Sequence, residues 1–121
     1  MFNIIIIGGE NAPSYESFQK KCIQLLRSKA ESGERIRILT IGDEYVDTFS
    51  SKFGIETKKY NCDWIKNGKT ALFSRNKEIV SDANAILYFD SGKNDLTNLY
   101  EYAKKRKLDA RRVNVEKLKT T

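Results

Sequence analysis

The feature that most constrains the fold is an apolar run at the start of the chain. Residues 2–7 read FNIIII, so four isoleucines follow Asn3 without interruption, and Gly8-Gly9 ends the run. A half-exposed strand alternates apolar and polar residues, whereas a strand covered on both faces is continuously apolar. The run is also far shorter than the roughly 20 apolar residues that span a bilayer. It therefore predicts a central strand of a parallel sheet.

Strand and helix patterns alternate along the rest of the chain. Further strands are predicted over 35–41, 55–60, 85–89 and 110–115. Helices are predicted between Ser14 and Gly33 and over 45–53, 71–82 and 96–107, with a loop over 61–69. This alternation predicts an α/β, Rossmann-like fold: a doubly wound, mostly parallel five-stranded sheet of order 3-2-1-4-5, flanked by helices. We expect one domain over 1–115 and a short, frayed tail over 116–121.

Charge and cysteine usage narrow the chemistry. The formal net charge of +6 favours anionic partners such as nucleotides, nucleic acid or acidic proteins. The chain has no histidine, and Cys22 and Cys62 are not part of a CxxC motif. We therefore expect no metal site, no cofactor and no histidine-dependent nucleophile. Because Met1-Phe2-Asn3 lacks the basic region of a signal peptide, we predict a cytoplasmic protein without a membrane partner.

Ligands of open parallel sheets bind outside the carboxyl ends of the strands, where the strand order reverses. The segments expected there are 8–14, 41–47, 61–76 and 90–97. In the first segment, Gly8 and Gly9 would let backbone N–H groups approach a phosphate, with Glu10 at the mouth. The alternative is that the two glycines only form a tight turn.

The third segment combines an aromatic residue with cations. It contains Asp63-Trp64, then Gly68-Lys69, then Arg75-Asn76, and we expect the last pair to open a helix. Such a set suits a ligand with a base or ribose next to a phosphate. In the alternative interpretation, Trp64 packs over the sheet edge while Lys69 and Arg75 are merely solvated.

These pairs, followed by Ala83-Asn84-Ala85, resemble the SLOG superfamily over roughly residues 2–115, and its small stand-alone branch of unknown function most of all. That superfamily includes cytokinin-activating phosphoribohydrolases and the core of DNA-processing protein A. The resemblance implies a Rossmann-like domain that binds a nucleotide, a nucleotide derivative or nucleic acid. It also implies pairing into a homodimer or a higher homo-oligomer.

The chain departs from the superfamily in two loops. In the second loop only Gly42 and Asp47 match the family's glycine-rich phosphate cradle, and Asp43 adds negative charge there. In the fourth loop Thr97 matches, but Tyr100 stands where the phosphoribohydrolases have a catalytic glutamate. Cleavage of an N-glycosidic bond needs a carboxylate, so we expect no catalytic residue.

We predict binding of a nucleotide or nucleotide-derived signal or metabolite without catalysis, in phage–host conflict by family analogy alone. The predicted ligand-binding residues are Gly8, Gly9, Glu10, Gly42, Asp47, Asp63, Trp64, Lys69, Arg75, Asn76 and Thr97. One alternative is an N-glycosidase acting on nucleoside monophosphates or NAD. Another is a single-stranded nucleic-acid binder, whose basic face would be supplied by Lys66, Lys69, Arg75, Lys104, Lys105, Arg111 and Arg112.

Overall fold

The computed structural model describes residues 1–92 and 96–120. Its strands are β1 (Phe2–Ile7), β2 (Ile36–Thr40), β3 (Glu56–Lys59), β4 (Ala85–Asp90) and β5 (Asp109–Asn114). Its helices are α1 (Tyr15–Glu31), α2 (Glu44–Phe53), α3 (Trp64–Asn67), α4 (Ala71–Asp82) and α5 (Thr97–Lys105). Short 3₁₀ turns cover Gly9–Asn11, Gly68–Thr70 and Val115–Thr120. No helix in the described part of the chain is long and apolar enough to cross a membrane.

The five strands form one parallel sheet in the order β3-β2-β1-β4-β5, which confirms the predicted fold class and strand order. Strand β1 lies at the centre, where Ile4 pairs with Ile38 of β2 on one side and Ala85 of β4 on the other. All four of its isoleucines are buried. The continuous apolar run is thus explained by helices on both faces of the sheet.

The two faces of the sheet carry separate cores. On one face, Ile4 and Ile6 pack with α1 and α2, and the ring centroids of Phe18 and Phe89 lie 5.0 Å apart. On the other face, Ile5 and Ile7 pack with residues of α4 and α5, such as Ile79, Leu99 and Ala103. Alternate side chains of one strand point to opposite faces, so both cores depend on β1.

Asn3 ties three strands together at the amino edge of the sheet. Its backbone N–H donates to Asn84 Oδ1 at 2.8 Å, and its Nδ2 donates to the Asp82 carbonyl at 3.0 Å. Arg37 Nε donates to Asn3 Oδ1 at 3.1 Å. The only polar residue of the FNIIII run therefore joins the starts of β1, β2 and β4.

The predicted loop over 61–69 is wrong. Asp63 Oδ1 accepts a hydrogen bond from the Lys66 N–H at 2.9 Å and so caps the short helix α3, which a 3₁₀ turn follows. The predicted tail is also structured in part, because 115–120 form a 3₁₀ turn and Leu118 packs against the α1–α2 core.

Candidate functional site

The loops that follow β1, β2, β3 and β4 emerge at one edge of the sheet because all strands are parallel. The strand order reverses between β1 and β4, since the chain next goes to α1 on one face and to α5 on the other. The 8–14 and 90–97 segments therefore border the expected ligand crevice. Residues 93–95 of the second segment lie outside the described residues.

Gly8 brings the first loop against β4. Its φ is +73°, and a Cβ at this position would lie 2.3 Å from the Phe89 carbonyl oxygen. Asn11 Nδ2 donates to that same oxygen at 3.0 Å, so the loop is bonded across the point where the strand order reverses. A Cβ at Gly9 would lie 2.6 Å from the Phe18 ring. Both glycines are thus required by packing within the chain.

The backbone amides of Glu10, Asn11 and Ala12 in this loop donate to acceptors within the chain. The Asn11 and Ala12 N–H groups donate to the Gly8 and Gly9 carbonyls at 2.9 and 3.0 Å. The start of α1 is closed by a capping box in which Ser14 Oγ accepts from the Ser17 N–H. These amides are therefore not free to hold a phosphate in the way that the glycine pair suggested.

Two carboxylates fill the start of α2. Asp43 is only 6% exposed, and its Oδ1 accepts from the Tyr45 N–H at 2.9 Å while its Oδ2 accepts from the Glu10 N–H at 3.3 Å. In return, Glu10 Oε1 accepts from the Glu44 N–H at 3.2 Å. The two loops are thus held together by reciprocal bonds that place negative charge where a phosphate would bind.

The pKa of Asp43 is raised. Burial is the largest cause because it disfavours the charged form. Hydrogen bonds from backbone amides, that of Val46 first among them, oppose the increase, and the nearby charge of Glu10 adds to it.

Two other predicted residues of the second loop lie apart from the reciprocal bonds. Gly42 is exposed with a φ of +103°, and a Cβ there would lie 3.2 Å from Lys59 Cε. Asp47 is exposed on the side of α2 that faces β3, where it borders a shallow depression with Ser51 and Thr57. Neither residue borders the crevice between β1 and β4.

Arg75 and Asn76 occupy an unusual place on α4. Arg75 follows Ala71 and precedes Ile79 by one helical turn each, and both neighbours are fully buried, so Arg75 belongs to the face turned toward the sheet. It is half-buried, and its Nε and Nη2 donate to Asn76 Oδ1 at 3.2 and 3.0 Å. Among the described residues, no carboxylate oxygen lies within 4.0 Å of its guanidinium nitrogens.

The helix predicted over 71–82 is confirmed as α4, so Arg75 and Asn76 lie one turn inside it and do not open it as the motif alone suggested. Its N-cap residue Thr70 does not cap it, since the hydroxyl donates instead to the Asn67 carbonyl at 2.8 Å. Within the described part of the chain, no side chain accepts from the first amides of α4, whereas α1, α2 and α3 are each capped. The Ala71 N–H donates to the Gly68 carbonyl of the preceding 3₁₀ turn, so the start of α4 lacks a side-chain cap but its first amide is bonded, and exposed Lys69 lies beside it.

Asp63 and Trp64 lie on α3, which contacts the start of α4. The Asp63 carboxylate serves as the α3 cap. Trp64 is 57% exposed, so its ring is not a core side chain. These positions leave the ring accessible at the edge of the sheet where ligands are expected.

Tyr100, which stands where the phosphoribohydrolases have a catalytic glutamate, is packed into the core. Tyr100 is buried, and its ring centroid lies 5.3 Å from that of Tyr88. The Tyr88 hydroxyl lies 3.3 Å from Thr97 Oγ1 at the start of α5, while Glu101 is exposed. No carboxylate takes the place of the glutamate on this face of α5.

The predicted site residues therefore fall into separate groups. Gly8, Gly9 and Glu10 belong to the closed β1–β2 loops, whereas Lys69, Arg75 and Asn76 belong to the open side on α4. Sequence reasoning missed the structural roles of Asn11 and Asp43. An aspartate directly before a helical stripe is an N-cap signal and could have identified Asp43. Nothing local distinguishes Asn11 from any other polar loop residue. In the described part of the chain no group of three or more potential ligands could hold a metal ion.

Comparisons with protein-family models, with curated proteins and with solved structures found no match to this chain. The SLOG resemblance therefore depends on the motif residues alone. What the protein does has to be argued from the chemistry of this edge.

Proposed function

We propose that the chain binds a nucleotide or a nucleotide-derived small molecule at the carboxyl edge of the sheet, on the α4 side. The observation that carries this proposal is the state of Arg75. A half-buried guanidinium is costly unless its N–H groups are bonded, and here its bonds go to the neutral amide of Asn76. A phosphate or carboxylate of a ligand would give the Arg75 guanidinium the charged acceptor that it lacks among the described residues.

Neighbouring features favour an anion at the same place. Among the described residues no carboxylate caps the start of α4, whose first amide donates to the Gly68 carbonyl, so the positive end of the helix dipole has no acidic partner there, and Lys69 adds a positive charge. On the other side of the edge, Glu10 and Asp43 disfavour a second anion. The ligand would therefore bind with its phosphate toward α4 and its uncharged part toward Glu10 and Asp43.

A nucleotide is favoured over a simple anion by the exposed Trp64 ring, on which a base can stack. The SLOG resemblance supports the same ligand class, and by analogy a signal in phage–host conflict. Cys22 and Cys62 are free thiols, which suits a reducing compartment such as the cytoplasm.

Binding without catalysis is part of the proposal. Tyr100 is buried and offers no carboxylate that could activate water or stabilise an oxocarbenium-like transition state. The carboxylates of Glu10 and Asp43 accept backbone hydrogen bonds within the chain. We therefore expect no release of adenine from AMP and no release of nicotinamide from NAD. Chromatography of the incubated mixtures tests this, and product formation that scales with protein would contradict it.

Calorimetry with AMP, NAD, ADP-ribose and cyclic dinucleotides tests the binding itself. For any ligand that binds, Arg75→Ala should weaken affinity by about 1.5–3 kcal/mol, the loss expected for a charge-assisted hydrogen bond. Lys77→Ala is the matched control, because Lys77 is an exposed cation of the same helix. Its effect should stay below about 0.5 kcal/mol. Equal affinities for the wild type and a folded Arg75→Ala variant would overturn the role of Arg75.

A further inference from the structure

An exposed apolar surface lies at the start of α3 and α4. Among the described residues, six large hydrophobic side chains are exposed. Four of the six fall within one ten-residue stretch: Trp64, Ile65, Leu72 and Phe73. We call these four side chains the α3–α4 surface. Their concentration in one short segment sets them apart from the single exposed hydrophobic residues that are normal in proteins.

The chain leaves this surface uncovered. Ile65 has a relative exposure of 101%, and α3 contains no buried residue at all. The ring of Phe73 reaches Tyr102 of α5, with centroids 6.5 Å apart, so the surface extends across the α4–α5 packing. From the exposed fractions, the four side chains present on the order of 500 Å² of apolar area. The largest apolar patch of a typical monomer has about 300–600 Å² and is often functional.

Positive charges surround the α3–α4 surface. Lys66 and Lys69 lie between its two halves in sequence, and Lys77 lies one helical turn after Phe73; all three are exposed. The nearest acidic residue in sequence, Asp63, already accepts from the Lys66 N–H. Glu78 is rotated by about 140° from Phe73 around α4 and so belongs to another side of the helix.

We propose that the α3–α4 surface docks an acidic segment of a partner protein whose own apolar side chains cover Trp64, Ile65 and Phe73. Charge complementarity is the reason for this choice, because lysines around an apolar centre favour a partner with carboxylates around its apolar side chains. A second copy of this chain would bring the same lysines toward each other. Aromatic residues are typical of the energetic centre of protein interfaces.

A bilayer fits this surface less well. Helices that lie in a membrane interface present a long apolar face, whereas α3 has four residues. The proposed docking surface shares Trp64 and Lys69 with the proposed nucleotide site, whereas Ile65, Leu72 and Phe73 have no role in that site. Experiments in the absence of nucleotide therefore test it alone.

The test uses a synthetic amphipathic peptide of about 18 residues, or about five helical turns, with a Leu/Phe stripe and glutamates on its polar face. The same peptide with lysines replacing the glutamates is its counterpart. Trp64 is the only tryptophan, so its emission reports directly from the surface. We expect the Trp64 emission to shift to the blue with the acidic peptide but not with the lysine peptide. Binding of the acidic peptide should weaken at higher salt.

Ile65→Asp and Phe73→Asp should each weaken peptide binding about tenfold or more. Ile65→Ser, which adds no charge, keeps the test valid if an aspartate disturbs the fold. Phe53→Asp is the matched control, since Phe53 is also exposed but borders a groove at the opposite edge of the sheet. Its peptide affinity should remain within about twofold of the wild type.

Three outcomes would overturn the proposal. The first is equal binding of the acidic and lysine peptides. The second is self-association that depends on Ile65 and Phe73 in sedimentation, without peptide binding, which would assign the surface to a second copy. The third is a Trp64 emission shift only with vesicles that contain phosphatidylserine, which would assign it to an anionic bilayer.

Discussion

The two halves of the carboxyl edge differ in how their polar groups are satisfied. One half is formed by the loops after β1 and β2. There the side chains of Asp43, Glu10 and Ser14 accept hydrogen bonds from backbone amides that could otherwise have bound a ligand. In the half formed by α4, Arg75 has no carboxylate partner among the described residues and Thr70 leaves the helix uncapped. Both halves have the same topology, so the difference arises from a few side chains.

This difference teaches that a glycine pair after a strand is weak evidence for phosphate binding. Gly8 is explained by its approach to the Phe89 carbonyl, and Gly9 by its approach to the Phe18 ring. The stronger signal is a cation on the inward face of a helix without a carboxylate beside it. The carboxyl ends of the strands form one continuous edge, but an anion would gain new hydrogen bonds and charge interactions only in the half that contains Arg75 and α4.

The largest effect is expected at Gly8. Gly8→Ala places a methyl group against the Phe89 carbonyl oxygen and forces a side chain into a positive φ. We expect a loss of about 3–4 kcal/mol in the free energy of unfolding, measured by urea denaturation. Gly33→Ala is the control, because Gly33 also has a positive φ but nothing within 4 Å of its added Cβ. Its loss should be about 1 kcal/mol; equal losses would mean that the contact with β4 is unimportant.

Removal of the buried carboxylate should be the next largest effect. Asp43→Ala deletes the cap of α2 and the bond to the Glu10 N–H. We expect a loss of about 2 kcal/mol at neutral pH. Asp63→Ala, which removes the cap of the exposed α3, should cost less than about 1 kcal/mol in the same measurement. A larger cost at Asp63 would reverse the contrast between the closed and open halves.

The raised pKa of Asp43 gives this residue its own pH dependence. The folded state holds the proton of Asp43 more tightly than the unfolded state, so its stabilising contribution is lost as the pH rises through the raised pKa. Relative to Asp43→Asn, the wild type should therefore lose free energy of unfolding between the ordinary carboxyl pKa of 3.8 and neutral pH. Urea denaturation of both proteins at several pH values measures the difference. A difference that grows with pH would mean that the amide bonds outweigh burial.

A smaller effect should follow when a negative charge is added at the start of α4. Thr70→Asp places a carboxylate beside the positive end of the helix dipole, although the backbone of residue 70 is not extended as it is at Asp43, the cap of α2. We expect a gain of about 0.5–1 kcal/mol in the free energy of unfolding. The same carboxylate should weaken binding of any nucleotide identified by calorimetry, since it competes for the same helix end. Stronger binding in Thr70→Asp would place the anion elsewhere.

The smallest effect is expected at Glu10. Its carboxylate accepts from the Glu44 N–H, and Glu10→Gln keeps an acceptor in that place. Nucleotide affinity should change by less than about 0.5 kcal/mol, and in the direction of tighter binding, because one negative charge is removed. A large loss of affinity would show that Glu10 contacts the ligand, so that the closed half also belongs to the site.

The fold could be predicted because local and global signals agree in this sequence. The isoleucine run of β1 dictates a strand buried on both faces, and Gly54, with a φ of +63°, ends α2 where the apolar stripe ends. The error at 61–69 has a physical cause. Helix α3 is four residues long and buries nothing, so it leaves no apolar periodicity to detect.

The site was less predictable because its character depends on contacts between distant residues. Asp43 meets the loop that contains Glu10 across 33 positions, and Asn11 meets Phe89 across 78. Neither contact has a local pattern. The Arg75-Asn76 pair could be identified as a candidate from its motif. The predicted helix over 71–82 contained both residues, but the half-buried state of Arg75 and its bonds to Asn76 depend on packing that the sequence does not show.

The central position of β1 has a consequence for how the chain is made. Strand β1 (residues 2–7) is synthesised before either of its neighbouring strands. Its partner β4 is complete only when residue 90 has been added. At about 5–20 residues per second, β1 therefore waits several seconds with one apolar edge unpaired. The tie through Asn3 cannot form until Asn84 arrives. A product that stops before β4 would leave one edge of this isoleucine strand unpaired, so protection of β1 from aggregation depends on synthesis of β4.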